Sequence, residues 1–154
     1  MPPPEAAPAG AAAVVLDTNI VLDLWVFADA AAQPLRLALE KGRISWLATG
    51  PMREELARVL AYPHIARRLA QAGRSADEVL QRFDDQAQLR QVPPKAAYHC
   101  KDADDQKFVD LAAAHQTLLL SKDQAVLCMA RRLQKLGVET RSQFEGRGCD
   151  EGRG

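Results

Sequence analysis

The cysteines are few and badly spaced for a scaffold. Cys100, Cys128 and Cys149 are odd in number and lack the close pairing of a zinc site, which argues for a reducing compartment without structural disulfides. The expected location is therefore cytoplasmic. No apolar run approaches the roughly 20 residues needed to span a bilayer, so no membrane partner is expected. The opening MPPPEAAPAGAAA has neither the basic start nor the leucine-rich centre of a secretory signal, and residues 1–12 are expected to be a flexible leader. Net charge is absent too: 20 Lys plus Arg balance 20 Asp plus Glu, so any contact with a polyanion has to come from a local patch. Aromatic residues make up only 5%. What is present, 47% hydrophobic and 26% charged residues in a chain of 154, suits one globular domain with an adequate core, placed at 13–144. The Gly-rich charged segment 145–154 has no periodicity and is expected to be a disordered tail.

The stretch AAAVVLDTNIVLDLW organises the rest. Ala11 to Leu16 is an unbroken apolar run, as in a strand covered on both faces of a parallel sheet. Asp17 closes it, and in open α/β sheets ligands sit outside the carboxyl ends of strands. Thr18 and Asn19 suit a strand-to-helix turn, and Ile20, Val21, Leu24 and Trp25 resume at helical spacing, predicting a helix over about 19–29. Taken alone, Asp17 is accounted for by helix capping, which is far commoner than catalysis. Beyond it the pattern alternates. A helix opens at Pro34 and stops at Gly42, and a strand covers 44–48. A helix with Pro51 in its first turn runs to about 61, and a short basic helix covers 64–72. Ser75 with Glu78 forms a capping box that opens a helix to about Leu89. Asp102 is expected to begin a helix to about 116, with a strand at 117–121, a helix at 124–136 ended by Gly137, and an edge strand at 138–140. Alternation of this kind predicts an α/β class.

Three further acidic sites stand out. In PMREELARVL, steps of about 100° put Glu55 at about −60° from Met52, bordering the apolar stripe, and Glu54 at about 200°, opposite it. A carboxylate at such a border either reaches solvent along its stem or points into a shared pocket. In CKDADDQKFVDLA, Asp102, Asp104 and Asp105 fall within four residues, more than a cap and a helix dipole require. Asp105 shares a stripe with Phe108, Val109 and Ala112, Asp104 is near it through Phe108 and Leu111, and Asp110 falls on the polar side; helical geometry alone does not choose between Asp104 and Asp105. In LLLSKD an apolar strand again ends in polar residues, Ser121 and Asp123, just before a helix. Two acids ending strands and two on flanking helices point to convergence. A carboxylate pocket without paired His or Cys is a hard oxygen site suited to Mg²⁺ or Mn²⁺, and its like charges would strain the fold unless a cation neutralised them.

With their acids in this order, VVLDTNIV, EELARVL, CKDADDQKFVDLA and LLLSKD make the chain resemble the PIN domain family of metal-dependent ribonucleases, over about Val14 to Phe144, and within it the bacterial group described as toxin components of toxin-antitoxin systems. The resemblance implies a three-layer α/β/α sandwich with a central parallel sheet of four or five strands. It implies Asp17, Glu55, Asp105 and Asp123 as catalytic acids and metal ligands, with Asn19 and Ser121 as supporting polar residues. It further implies one or two Mg²⁺ or Mn²⁺ ions that lower the pKa of a bound water and neutralise the scissile phosphate of single-stranded RNA. Arg67, Arg68, Lys101, Arg131 and Arg132 are candidate RNA contacts. Candidate protein partners are a cognate antitoxin and a second copy of the chain. The sequence departs from the family where proline usually follows the first Asp of the third motif and Asn often follows its last; here Ala103 and Gln106 stand there.

Rival readings meet obstacles. A phosphate-transfer receiver domain needs adjacent acids on its first strand, and a DxD phosphatase needs a second Asp where Asn19 stands. A catalytically inactive PIN-like module that binds RNA or a partner protein remains the alternative, against which the retention of all four acids counts.

Overall fold

The computed structural model describes residues 12–144. The predicted tail at 145–154 and all of the predicted leader except Ala12 lie outside the described residues. In chain order the elements are β1 (Ala12–Leu16), α1 (Thr18–Trp25), a 3₁₀ turn (Ala30–Ala32), α2 (Gln33–Glu40), β2 (Ile44–Ala48), α3 (Gly50–Leu60), α4 (Pro63–Gln71), α5 (Ala76–Gln86), β3 (Ala87–Leu89), a second 3₁₀ turn (Ala103–Asp105), α6 (Gln106–His115), β4 (Leu118–Leu120), α7 (Gln124–Leu127), α8 (Ala130–Gln134) and β5 (Glu139–Arg141). The strands form one sheet in the order β3-β2-β1-β4-β5, every neighbouring pair parallel. The predicted α/β sandwich is the observed fold, with five strands.

Strand order places the site. From β1 the chain winds outward through β2 to β3, then crosses back to β4 and on to β5. Right-handed crossovers therefore put α1 to α5 on one face and α6 to α8 on the other, and the winding reverses between β1 and β4. That switch point is where a crevice opens at the carboxyl edge of such a sheet. The strands that flank it end in Asp17 and in Ser121-Lys122-Asp123.

The sheet is covered on both faces, which is why β1 is a run of apolar residues and β2 is apolar except for Ser45; every residue of β2 is buried. The few aromatics are concentrated where they fill most volume. Trp25 of α1 stacks on Trp46 of β2 at 5.5 Å between centroids, and Phe83 of α5 meets Trp46 edge-on at 5.0 Å. Such pairs contribute about 0.5–1.5 kcal/mol each beyond the area they bury. The capping box at Ser75 and Glu78 forms with both reciprocal bonds, and Gly42 and Gly137 end their segments with φ of +70° and +85°, where an L side chain would be strained.

Local pattern misplaced several boundaries. The helix predicted to about 29 ends at Trp25, because Ala28 turns left-handed and Asp29 caps the 3₁₀ turn that follows. The helix predicted to Leu89 stops at Gln86: Ala87 to Leu89 instead pair with Trp46 to Ala48 as edge strand β3, a long-range partner that helical periodicity does not reveal. Asp102 caps the 3₁₀ turn by accepting the N–H of Asp104 at 2.9 Å, and α6 starts only at Gln106. The helix predicted at 124–136 is two, α7 and α8, parted where Met129 bonds back three residues to Val126. Asp110, assigned to the polar side, is buried: its Oδ1 accepts from the Ala96 N–H and from Gln106 Nε2, both at 2.8 Å. Gln106 also accepts from the Cys100 N–H at 2.6 Å, so these two side chains tie the long segment before α6 to the helix. That gives Gln106, a departure from the family pattern, a structural use.

Candidate functional site

Asp17 does two things at once. Its Oδ1 caps α1 by accepting the Ile20 N–H at 3.0 Å, and its Oδ2 accepts the Ser121 hydroxyl at 2.5 Å across the switch point. The capping account of this residue is thus correct and incomplete. Burial pushes the Asp17 carboxyl above its ordinary range; the bonds from Ser121 and from the backbone of Ile20 and Lys122 oppose that, and the charge of Asp123 adds to it. Ser121 is itself fully buried and accepts the Asp123 N–H at 3.0 Å, while Asp123 caps α7 through the Ala125 N–H at 2.9 Å.

On the other face, the Asp105 carboxyl ends the 3₁₀ turn and is buried, with Oδ2 lacking any hydrogen-bond partner. It faces Asp123, and two carboxylates can bond each other only by sharing a proton. Burial first, then Asp123, Asp102 and Asp17, push Asp105 up to about 8, while Asp123 is held below its ordinary range by the bond from Asp105. Oxygens of Asp102, Asp105 and Asp123 lie within 4.8 Å of one another. The donor set is hard and anionic, and one buried oxygen of Asp105 is left without a hydrogen-bond partner. These residues fit a divalent cation of the Mg²⁺ or Mn²⁺ type.

A cavity of about 230 Å³ opens beside this cluster, lined in part by Asp17, Asn19, Glu55 and Asp105. Glu55 of α3 points into it, accepting the Thr18 hydroxyl at 2.7 Å and pairing with Lys107. Glu54 is exposed on the opposite side of the same helix, as the helical phase requires. The pocket alternative for Glu55 is the one observed. Asn19 is exposed at the cavity mouth.

The basic candidates divide. Arg67 and Arg68 are exposed on α4, whose first turn borders the cavity, and Arg68 lies over the Phe27 ring at 5.1 Å. Lys101 is exposed one residue before Asp102. Arg131 lines a different cavity with Gly137 to Thr140, and Arg132 is exposed on the same helix; neither lines the acidic cavity.

Sequence reasoning missed two contributors. Lys107 pairs with Glu55, donates to the Asp104 carbonyl and lies 5.1 Å from the centre of the Phe108 ring. Thr18 orients Glu55. Asp102, one of the three acids that exceed what a cap requires, both caps the 3₁₀ turn through the Asp104 N–H and lies within ligand range of Asp105 and Asp123.

Comparison with known proteins agrees with this architecture. A sequence model described as PIN domain matches residues 13–125. Among solved structures, the chain is similar to one from a complex described as VapBC2 from Rickettsia felis bound to a DNA fragment from their promoter, at a TM-score of 0.57 and 12% identity over 83% of this chain and 98% of that one. That likeness is one of fold. No curated protein matches the chain. A parallel five-stranded sheet, acids gathered at its switch point and a family match across most of the described residues together show that this chain belongs to the PIN domain family.

Proposed function

We propose that the chain is a divalent-metal-dependent endoribonuclease that cuts single-stranded RNA and serves as the toxin of a toxin-antitoxin pair. The supporting observation is that Asp17, Glu55 and Asp105 border one cavity while Asp105, Asp123 and Asp102 converge beside it. Asp17, Glu55, Asp105 and Asp123 are the proposed ligands, joined by Asp102. A divalent ion held there would acidify a water and neutralise charge on the scissile phosphate.

The chain's own residues supply the rest. Ser121 and the Ile20 N–H fix the Asp17 carboxylate, and Thr18 fixes Glu55. Asp105 has to give up its proton before it can act as a ligand. Lys107, a quarter exposed and tied to Glu55, gives an incoming phosphodiester a cation to meet, and Arg67 and Arg68 extend positive charge along α4. Lys101 adjoins Asp102 at the edge of the cluster, whereas Arg131 and Arg132 would act only on a strand that runs past the cavity. A cognate antitoxin, a homodimer and a cytoplasmic location belong to the same reading; among the described residues no helix is long and apolar enough to cross a membrane.

The test is cleavage of an end-labelled single-stranded RNA by purified protein. Cutting is expected with Mg²⁺ or Mn²⁺ and none after EDTA; undiminished cutting in EDTA would overturn the metal-dependent mechanism. A companion measurement separates neighbours. Glu55→Gln should lower the cleavage rate by more than about tenfold, whereas Glu54→Gln, exposed and unpartnered with the site, should stay near wild type. Equal rates for the two variants would remove Glu55 from the site. A second reading, an inactive module, is favoured by one contact, the Lys107 ammonium that neutralises Glu55; absence of cleavage under every metal condition would support it.

A further inference from the structure

Tyr62 and His64 stand at the rim of the acidic cavity and carry no role in the chemistry above. Pro63 lies between them and opens α4. A residue before proline is confined to extended backbone, and Tyr62 has φ −61° and ψ 139°, so its Cα–Cβ bond leaves the helix start in a set direction. Tyr62 is 46% exposed, in a protein that buries both tryptophans in its core. It stacks on the His64 ring at 6.4 Å between centroids and 29° between planes. Both residues are exposed, and both line the cavity that Asp17, Glu55 and Asp105 border. One turn further along α4, Arg67 and Arg68 are exposed as well.

The partly exposed Tyr62 face offers apolar area that a flat ligand can remove from water. Every nucleobase presents a flat face that stacks on such rings irrespective of sequence, and neighbouring cations meet the backbone. We infer that the Tyr62–His64 pair is a stacking platform for one base of a single-stranded nucleic acid beside the scissile bond. The pair thereby sets which phosphodiester enters the cavity. The inference rests on the proposed nuclease function and deepens it. Pro63 confines the Tyr62 backbone in advance, which reduces the conformational entropy lost when a base docks.

The experiment compares two fluorescent RNA strands of equal length and charge, one of ordinary nucleotides and one abasic throughout, in fluorescence anisotropy titrations with Ca²⁺ replacing Mg²⁺ to hold off cleavage. Wild type is expected to bind the base-bearing strand about tenfold more tightly than the abasic one. Tyr62→Ala and His64→Ala should erase most of that difference without weakening the abasic strand, and Tyr62→Phe should keep it. Retention of the full difference by Tyr62→Ala overturns the inference and marks the pair as a protein-facing patch. Equal binding of both strands by wild type also overturns it, leaving the nuclease function to stand on cleavage. If wild type binds neither strand and cuts no RNA under any metal, the nuclease reading falls and the platform with it.

Discussion

Asp105→Asn is expected to reduce RNA cleavage by about a hundredfold to a thousandfold, equivalent to several kcal/mol of transition-state stabilisation. Among the described residues, no other acid combines burial, an unpartnered carboxylate oxygen and two acids within ligand range. Asparagine keeps the shape and loses the charge. The same variant has a stability signature that separates a ligand from a structural residue. In metal-free wild type the Asp105 carboxyl is held up to about 8 by burial and by Asp123, while its unfolded value is about 3.9. Between those values the native state binds more protons than the unfolded state, so stability falls as pH rises from about 4 through about 8. Asp123 moves the other way, and its contribution is lost only when pH falls below the ordinary carboxylate range. Thermal melting in EDTA should therefore decline from pH 5 to pH 8 for wild type and be flatter for Asp105→Asn. Saturating Mn²⁺ should remove the decline, since a ligand bound by the native state alone adds stability most where Asp105 is ionised. Wild-type cleavage rates in the variant, or identical pH dependence of the two proteins in EDTA, would take Asp105 out of the site.

Asp17 is expected to answer differently to two substitutions, because the residue is at once cap, acceptor and charge. Asp17→Asn keeps an oxygen for the Ile20 N–H and an amide that Ser121 can meet, while it removes a buried negative charge facing Asp123 and Asp105. In EDTA this variant should melt at or slightly above wild type. Asp17→Ala removes the same charge and both bonds. It should therefore be less stable than Asp17→Asn by about 1–3 kcal/mol, from an empty cap and a buried hydroxyl at Ser121 stripped of its acceptor. Both variants should gain much less than wild type across a Mn²⁺ titration and cleave RNA poorly. If wild type ignores Mn²⁺ and Asp17→Asn melts far below it in EDTA, Asp17 is a structural residue and the proposed centre loses its connection between β1 and β4.

Residue spacing alone is enough to establish the class of this protein. Unalternated apolar runs ending in Asp17 and in Ser121-Lys122-Asp123 require a sheet covered on both faces with polar groups at its carboxyl edge, and a 3.6-residue period separates Glu55 from Glu54 without any knowledge of what packs where. Those are local constraints, written in spacing. Tertiary structure decided everything that depends on a distant partner. Ala87 to Leu89 became a strand because Trp46 to Ala48 lay alongside. Asp110 was buried because the Ala96 N–H needed an acceptor. Helical geometry left Asp104 and Asp105 equivalent, and the choice between them fell to a 3₁₀ turn that left Asp104 exposed and drove Asp105 against Asp123. Lys107 is one more surface-type lysine in the sequence; only the approach of α3 to the start of α6 makes it the counter-ion of Glu55. Periodicity fixes which way a side chain faces on its own element, whereas the carboxylates meet only because the winding reverses between β1 and β4, and that reversal is a property of the folded chain.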